Sequence, residues 1–593
     1  VALPASTQLE DFFAGDPFKA SVQVGDPRRQ IHNWAYGLFA QDDWRATRSL
    51  TVNFGLRYEY SSVMKEDHNL LGNFDPNAPL GIAQVGINGY SGPYNPDHTN
   101  FAPRLGFAWD VTGKGDTVVR GGASLVYETI NWEALLAFNN AFGLGNVPTA
   151  SILPNGTIQG GNLAIPPGMP QWDSGAPLYG NIGPTTSLGC SAGNPCPIMS
   201  VAQNLTTPYI WTWTLNVQHS FTPNLSLEVA YVGNHGTNLT GIRDINQAPV
   251  GSDYNAACAS DQACRPYNNQ FPALSNIFQM GNVYRSNYDG LQVTLNSRNY
   301  HGLSMVAGYT YAHALDDVGA NWDFGYGAGL PIDSHNVGLE YGNSDFDMRQ
   351  RFTLSLTYAI PGRKSRGQML EGWELNSIVT LQSPQYWGPI DLGTDVLGTG
   401  PLPVSPPASA PARWSYYRAG TNTFGDPNAF KSTSSSIPYF AGSTNPDCVA
   451  SAQAVDGVGG PSSQSLAAFG CYEEHGAVMI PPPLGALGNM GRNIFPDSGF
   501  KNFDLSIAKN WHFAERVKAQ FRAEFFNILN HPNFANPYGG QNGYGQNDPS
   551  VPGVGSTVPG FGCGCATPDV AAANPVIGSG GSRALQLGLK FTF

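Results

Sequence analysis

The 593-residue sequence predicts an all-β chain folded as an antiparallel transmembrane β-barrel. Three observations carry that expectation. Stretches of about ten residues alternate apolar and polar side chains, short turns and long polar segments succeed one another between them, and no run of ~18 apolar residues could form a spanning helix. A chain that crosses a bilayer as strands must close on itself, because only a barrel pairs every backbone N–H and C=O without leaving an edge.

The elements follow in order. A weak candidate strand around 19–25 comes first. Trp34, Tyr36, Leu38 and Ala40 then alternate with smaller or polar residues, 46–49 turn the chain, and Leu50, Val52, Phe54, Leu56, Tyr58 and Tyr60 return against Thr51, Asn53, Gly55, Arg57 and Glu59. The second pair is Leu105, Phe107 and Trp109, a turn at 112–116, then Val119, Gly121, Ala123, Leu125 and Tyr127 against Arg120, Gly122 and Ser124. In the third, Tyr209, Trp211, Trp213, Leu215 and Val217 lead through Thr222-Pro223-Asn224 to Leu225, Leu227, Val229 and Tyr231, opposite Ser226, Glu228 and Ala230. The fourth has Leu291, Val293 and Leu295, a turn at 300–302, then Leu303, Met305, Ala307, Tyr309 and Tyr311. The fifth pairs Phe352, Leu354, Leu356, Tyr358 and Ile360 with Trp373, Leu375, Val379 and Leu381. The sixth pairs Phe503, Leu505 and Ile507 with Val517, Ala519, Phe521, Ala523 and Phe525. Last, Leu585, Leu587, Leu589, Phe591 and Phe593 alternate with Gln586, Gly588, Lys590 and Thr592. The strand rules count about fourteen in all, an even number that puts both chain ends on one side.

The segments between pairs, about 62–100, 128–206, 234–285, 314–349, 384–499 and 527–581, are rich in Gly, Pro, Asn and Ser and all fall at one end of the strands. Structureless loops beyond ~12 to 15 residues are uncommon in compact soluble domains. Short periplasmic turns with long extracellular loops are the layout of a bacterial outer-membrane barrel. Charge sorts in the same sense. Arg57, Glu59, Arg120, Glu228, Lys518, Arg522 and Glu524 stand on the polar parity and are expected to face the lumen, since Arg or Lys facing lipid at mid-depth costs ~2 to 4 kcal/mol. Trp34, Tyr36, Trp211, Trp213, Tyr309 and Tyr311 near strand ends suit interfacial aromatic girdles.

Composition narrows the function classes. Gly and Pro number 71 and 46, and charged residues make up 12%, about half the usual ~25%. A net charge of -13 excludes nucleic acid as a partner, because phosphate binding needs a basic surface. The chain opens Val1-Ala2-Leu3-Pro4 with no leader pattern, which reads as a processed or partial polypeptide. Cys190 with Cys196, Cys258 with Cys264 and Cys448 with Cys471 read as loop disulfides of an oxidising compartment. The alternative is free thiols in an accidental even count, and Cys563-Gly564-Cys565 is too tight for an easy bridge. No metal-ligand spacing of Cys or His is present, so neither a metal nor another cofactor is expected. The G-x-S-x-G match at 189–193 lies between prolines in a long loop instead of at a strand-to-helix turn, so no catalysis and no enzyme is read from it. Asp316-Asp317, with Asp323 nearby, lacks the Ca²⁺-loop spacing and reads as a solvated loop face. The loop aromatics Trp132, Trp172, Tyr179, Trp387, Trp414, Tyr416 and Tyr417 either pack the loops together, the commoner use, or stack on sugar or peptide ligands.

Several segments resemble one family. Tyr36-Gly37-Leu38-Phe39-Ala40-Gln41-Asp42-Asp43-Trp44-Arg45 with Leu50-Thr51-Val52-Asn53-Phe54-Gly55-Leu56-Arg57-Tyr58-Glu59 is similar to the barrel of TonB-dependent outer-membrane receptors of the Oar-like group. Phe101-Ala102-Pro103-Arg104-Leu105-Gly106-Phe107, Ala230-Tyr231-Val232-Gly233-Asn234-His235-Gly236, Tyr288-Asp289-Gly290-Leu291-Gln292-Val293 and the run from Phe521 to Phe534 agree, in the same order. The resemblance implies a location in the bacterial cell outer membrane, a barrel of 22 strands, and a preceding plug with a TonB-interaction segment. Neither precedes these strands here, so the chain reads as the C-terminal barrel portion, meeting TonB through a missing N-terminal segment. It also implies uptake of an unidentified large or scarce solute bound by the extracellular loops, contact with membrane lipid, and a terminal strand (Leu585 to Phe593) read by the outer-membrane assembly machinery. The rival expectations are a passive porin-like channel, a surface adhesion or protein-export barrel, and a soluble secreted β-protein.

Overall fold

The computed structural model describes residues 30–69, 71–78, 81–128, 195–318, 330–402, 408–513, 517–537, 548–550, 560–564 and 581–593, with the short pieces 19–20, 23–24, 145–146, 150–152, 158–159, 192–193 and 567. Thirteen strands follow one another across a single sheet: β1 (Ala35–Trp44), β2 (Leu50–Ser61), β3 (Phe101–Asp110), β4 (Thr117–Tyr127), β5 (Tyr209–Thr222), β6 (Leu225–Asp244), β7 (Leu274–Tyr300), β8 (Leu303–Asp316), β9 (Gln350–Ala359), β10 (Trp373–Gln382), β11 (Phe500–His512), β12 (Lys518–Phe526) and β13 (Ala584–Thr592). Each pairs antiparallel with its sequence neighbour, and two short strands, Cys196–Val201 beside β7 and Gly342–Asn343 beside β8, bring the sheet to fifteen.

The weak candidate at 19–25 is not part of this sheet. It breaks into Lys19–Ala20, paired with 150–151, and Gln23–Val24, paired with 145–146. Among the described residues the path is therefore thirteen strands, one fewer than the count of fourteen, and on this path the two ends fall on opposite sides. β1 starts at the long-loop end, β13 finishes at the short-turn end, and the two run in the same direction without pairing to each other among the described residues.

Local chemistry makes the short turns. His301 and Gly302 both have positive φ (52° and 82°) between β7 and β8, the two-residue hairpin geometry whose twist matches the flanking strands. Gly302 has no alternative there, since an added Cβ would stand 2.8 Å from the Ala359 carbonyl oxygen. The register carries one apolar row through Trp44, Val52, Phe107, Gly121, Leu215, Tyr231, Leu291 and Tyr311, one residue from each of eight strands. Leu38 and Leu105, on the same face, are 70% and 61% exposed, an arrangement that water penalises and hydrocarbon accepts.

Where they are described, the long loops are folded, which corrects their reading as featureless polar segments. β6 and β7 run 20 and 27 residues, well beyond the ~10 that span a bilayer, and other loops pack on their extensions. Met64, Leu71, Val85, Val201 and Leu205 close around Phe278 and Met280 of β7. Segment 384–499 builds a cap with a four-stranded sheet (Ser415–Arg418, Ala477–Ile480, Cys471–Glu474, Tyr439–Phe440) and two helices, α1 (Pro446–Asp456) and α2 (Pro461–Phe469). α1 starts where the Asn445 side chain accepts from the Cys448 N–H at 3.0 Å with Pro446 in its first turn, the usual chemistry of a helix start. The helix is tied to the sheet by the Cys448–Cys471 disulfide. Trp387, Trp414, Tyr416, Phe430, Tyr472, Phe495 and Phe561 form the core of the cap.

Candidate functional site

The face opposite the apolar row is polar across the sheet. Thr51, Ala108, Arg120, Asn216, Ala230, Gln292, Thr310, Arg351 and Gln382 form one row of it on nine strands. The register puts Arg57 and Glu59 of β2, Arg120 of β4, Glu228 of β6, and Lys518, Arg522 and Glu524 of β12 on that face. Most of them are partnered locally. Arg57 pairs with Glu59 two residues on, Arg522 lies 3.4 Å from Glu524, Arg120 Nη1 donates to Gln218 Oε1 at 2.9 Å, and the Asn216 amide donates to Glu228. Phe39, opposite Arg57, and Ile378, opposite Asp504, are apolar exceptions on this side. Lys501 and Lys509 stand on the apolar parity of β11 close to its two ends; Lys501 is exposed and reaches water along its own stem, whereas Lys509 is buried with its ammonium on backbone carbonyls.

At the long-loop end of β1 and β2 a cleft of about 320 Å³ is lined by Arg57, Glu59, Tyr60, Tyr94, Asp97 and Tyr127. Tyr60 stacks on His98 with ring centroids 4.7 Å apart. Burial opposes ionisation of Asp97, but hydrogen bonds from Thr99 and Thr207 outweigh it and hold the carboxyl below its ordinary range. A second hollow of about 460 Å³ runs along the sheet past Asp43, Asn53, Arg104, Ser124 and Thr212, where Gly106 and Gly122 contribute no side chain. Together these offer both signs of charge, amide and hydroxyl hydrogen bonding, and aromatic faces, which suits reversible binding of a polar solute.

Ion pairs that spacing along the chain did not reveal tie the cap to the tip of β8 and the loop after it, and that loop to β7. Arg413 meets Glu340, both nearly inaccessible to water. Arg492 meets Asp316 at the tip of β8 and lies 3.5 Å from Asp345. Arg285 sits over the Tyr341 ring at 4.5 Å and 3.7 Å from Asp317. Asp316 and Asp317 are thus partners of arginines, which overturns their reading as a solvated loop face. In the loop after β6, Arg265 joins Asp261 (3.0 Å) and Asp244 (3.4 Å) at the end of that strand. Burial pushes the Asp497 carboxyl up to about 6. Asp548 is likewise raised to about 6, by burial first and then by the neighbouring Asp391.

Cys258 is bonded to Cys264 and Cys448 to Cys471, with Cα separations of 5.7 and 6.6 Å. Cys190 lies outside the described residues, and Cys196 begins the short strand beside β7. Cys563 is disulfide-bonded as well. Trp387, Trp414, Tyr416 and Tyr417 are buried in the cap and its helices, so they pack it. Trp132, Trp172 and Tyr179 fall outside the described residues, as does most of the 189–193 match. Leu585, Leu587, Leu589 and Phe591 are exposed on the strand that has no further partner among the described residues, opposite Phe525, Ala523, Phe521 and Ala519, with Phe593 beyond them.

A family model described as outer membrane beta barrel domain matches residues 2–554. No curated protein matches the chain. Among solved structures, the outer membrane transporter YddB from Escherichia coli is similar at 11% identity and a TM-score of 0.37, over 85% of this chain and 42% of that one. The ferripyoverdine receptor of Pseudomonas aeruginosa aligns at 11% identity and a TM-score of 0.35, over 85% and 36%. The siderophore receptor PirA from Acinetobacter baumannii aligns at 10% and 0.34, over 84% and 42%. The chain spans less than half the length of each.

Proposed function

The chain belongs to the outer-membrane β-barrel domain family and resides in the bacterial outer membrane, and from that premise we propose that it is the larger part of a TonB-dependent receptor barrel. In this reading a large or scarce solute is captured at the long-loop end and passes through the lumen when TonB, acting on an N-terminal plug segment, opens it. The chain itself performs no covalent step.

The observation that carries the reading is the sheet with one apolar and one polar face, with a folded cap packed at its long-loop end. The polar face, with Arg57, Glu59, Arg120, Glu228, Lys518, Arg522 and Glu524, would line the lumen, and the cap and cleft would select the solute. Direction supports a larger barrel. Because β1 and β13 run the same way, closure by antiparallel pairing takes an odd number of further strands, and nine would reach the 22 of plugged transporters. The segment-by-segment resemblance of β1, β2, β3, β6, β7 and β12 to Oar-like receptors points the same way. The terminal strand ending at Phe593 is proposed as the signal for the assembly machinery.

The test uses the native outer-membrane polypeptide, purified intact. Binding to the periplasmic domain of TonB, with no steady conductance in a planar bilayer, is expected. Steady open conductance without TonB binding would overturn the reading in favour of a passive channel.

A further inference from the structure

We propose that the turn joining β9 to β10, residues 360–372, is a binding site for the phosphate headgroup of an anionic phospholipid in the leaflet at the short-turn end. The inference rests on the barrel crossing a membrane and is independent of what is transported.

The turn is far longer than its counterparts and is held in one shape. Lys509 is 1% exposed although it stands on the apolar parity of β11. Its ammonium donates to the carbonyls of Gln368 (2.6 Å), Glu371 and Asn510 (3.2 Å) and sits between the rings of Trp373 and Trp511, 5.7 and 5.0 Å from their centroids. Gln368 and His512 exchange two hydrogen bonds, of 2.7 and 2.9 Å. Trp373 Nε1 donates to the Met369 carbonyl at 2.8 Å, and the Leu370 N–H donates to Ser365 Oγ at 2.8 Å. Lys509 is consumed by this work and is not free to bind lipid.

What the turn presents is a cationic surface beside an apolar one. Arg363, Lys364 and Arg366 are exposed, and none of them is ion-paired among the described residues. Met369 and Leu370, next to them, are 57% and 66% exposed. Trp373 and Trp511 mark the depth at which aromatic rings settle between hydrocarbon and headgroups. Apolar insertion plus a cationic cluster is the pair of signals that makes interfacial binding firm. The chain as a whole opposes anionic lipid with a net charge of -13, so three cations without an ion pair at the bilayer edge are a local reversal. Charge complementarity selects the occupant: an anionic headgroup offers the phosphate that three cations match, and a zwitterionic one cancels it.

The native polypeptide is folded into phosphatidylcholine bilayers containing trace spin-labelled phosphatidylglycerol or phosphatidylcholine, and the motionally restricted fraction of each label is measured. Enrichment of phosphatidylglycerol that weakens with salt is expected, on the scale of ~5-fold per cation engaged. The triple variant Arg363→Gln, Lys364→Gln, Arg366→Gln should lose it. Arg45→Gln with Arg48→Gln, on the β1–β2 turn, should keep it. Unchanged heat-modifiable migration of each variant on a gel verifies folding. Equal enrichment in the wild type and the triple variant, equal loss in the Arg45 and Arg48 control, or no preference between the two labels would overturn the site. Capture of an acidic soluble protein through these cations, without lipid preference, would overturn it too.

Discussion

Arg492, near the end of the cap segment, places its guanidinium against Asp316 at the tip of β8, 176 residues earlier, and donates to the Asp316 carbonyl at 2.7 Å. With Arg413 and Glu340, this contact fixes where the cap sits over the strands. The cap is therefore positioned by a few charges withdrawn from water, and such contacts are costly to break from one side only.

Arg413→Met is expected to loosen the cap by about 3 to 5 kcal/mol, because Glu340 remains as an unpaired buried charge. The double variant Arg413→Met with Glu340→Gln should recover most of that. Amide hydrogen exchange would localise the change to 384–499 and leave β1–β13 protected. Equal loosening in the single and double variants would contradict the latch.

The two faces of the sheet should tolerate charge unequally. Leu505 lies between Ser377 and Phe525 on the apolar face, and Ser506 between Asn376 and Glu524 on the polar face. Leu505→Arg should cost ~2 to 4 kcal/mol of folding into lipid and Ser506→Arg little. Leu227→Arg should also exceed Ser226→Arg, but by less, since Leu227 is two residues from the start of β6 and the penalty falls near the interface. Vesicle folding yields measure all four.

The cap should be steadier in mild acid. Asp497 and Asp548 carry folded pKa values of about 6, above the ordinary ~3.9 of an unfolded Asp. The folded state therefore binds more protons between pH 4 and 6, so stability from these groups is complete below pH 4 and lost as pH rises through 6. Going from pH 7 to 5 should raise the cap's melting temperature, and Asp548→Asn should flatten the dependence. A stability that falls over that window would contradict the assignment.

Reduction should loosen the cap without unfolding the barrel. The Cys448–Cys471 bond closes 23 residues of sequence, for which loop entropy predicts about 3 kcal/mol. Dithiothreitol should expose α1 and α2 to protease and leave the gel migration of the folded barrel unchanged. Protease resistance that survives complete reduction would show that the packing of the cap suffices.

Thirteen of the fourteen strands read from the sequence appear in the sheet, and both faces follow the parity of residues such as Leu227 and Glu228. The exception at 19–25 had alternation too weak to settle a partner. The ends of β6 and β7 were also missed: beyond Asn234 and before Asn287 both faces meet packed loops instead of lipid and lumen, so the two-residue rhythm fades.

The sequence by itself determined the strand order, the turn side and the sorting of charge, because period two and turn chemistry act over a few residues. Only the tertiary structure decided that the 384–499 loop is a packed cap, that Trp387 and Trp414 serve its core, and that Asp316 answers to Arg492. Those outcomes depend on groups from about twenty to nearly two hundred residues apart excluding water from one another. An aromatic or a carboxylate looks the same in sequence whether it will be buried against a partner or left in solvent.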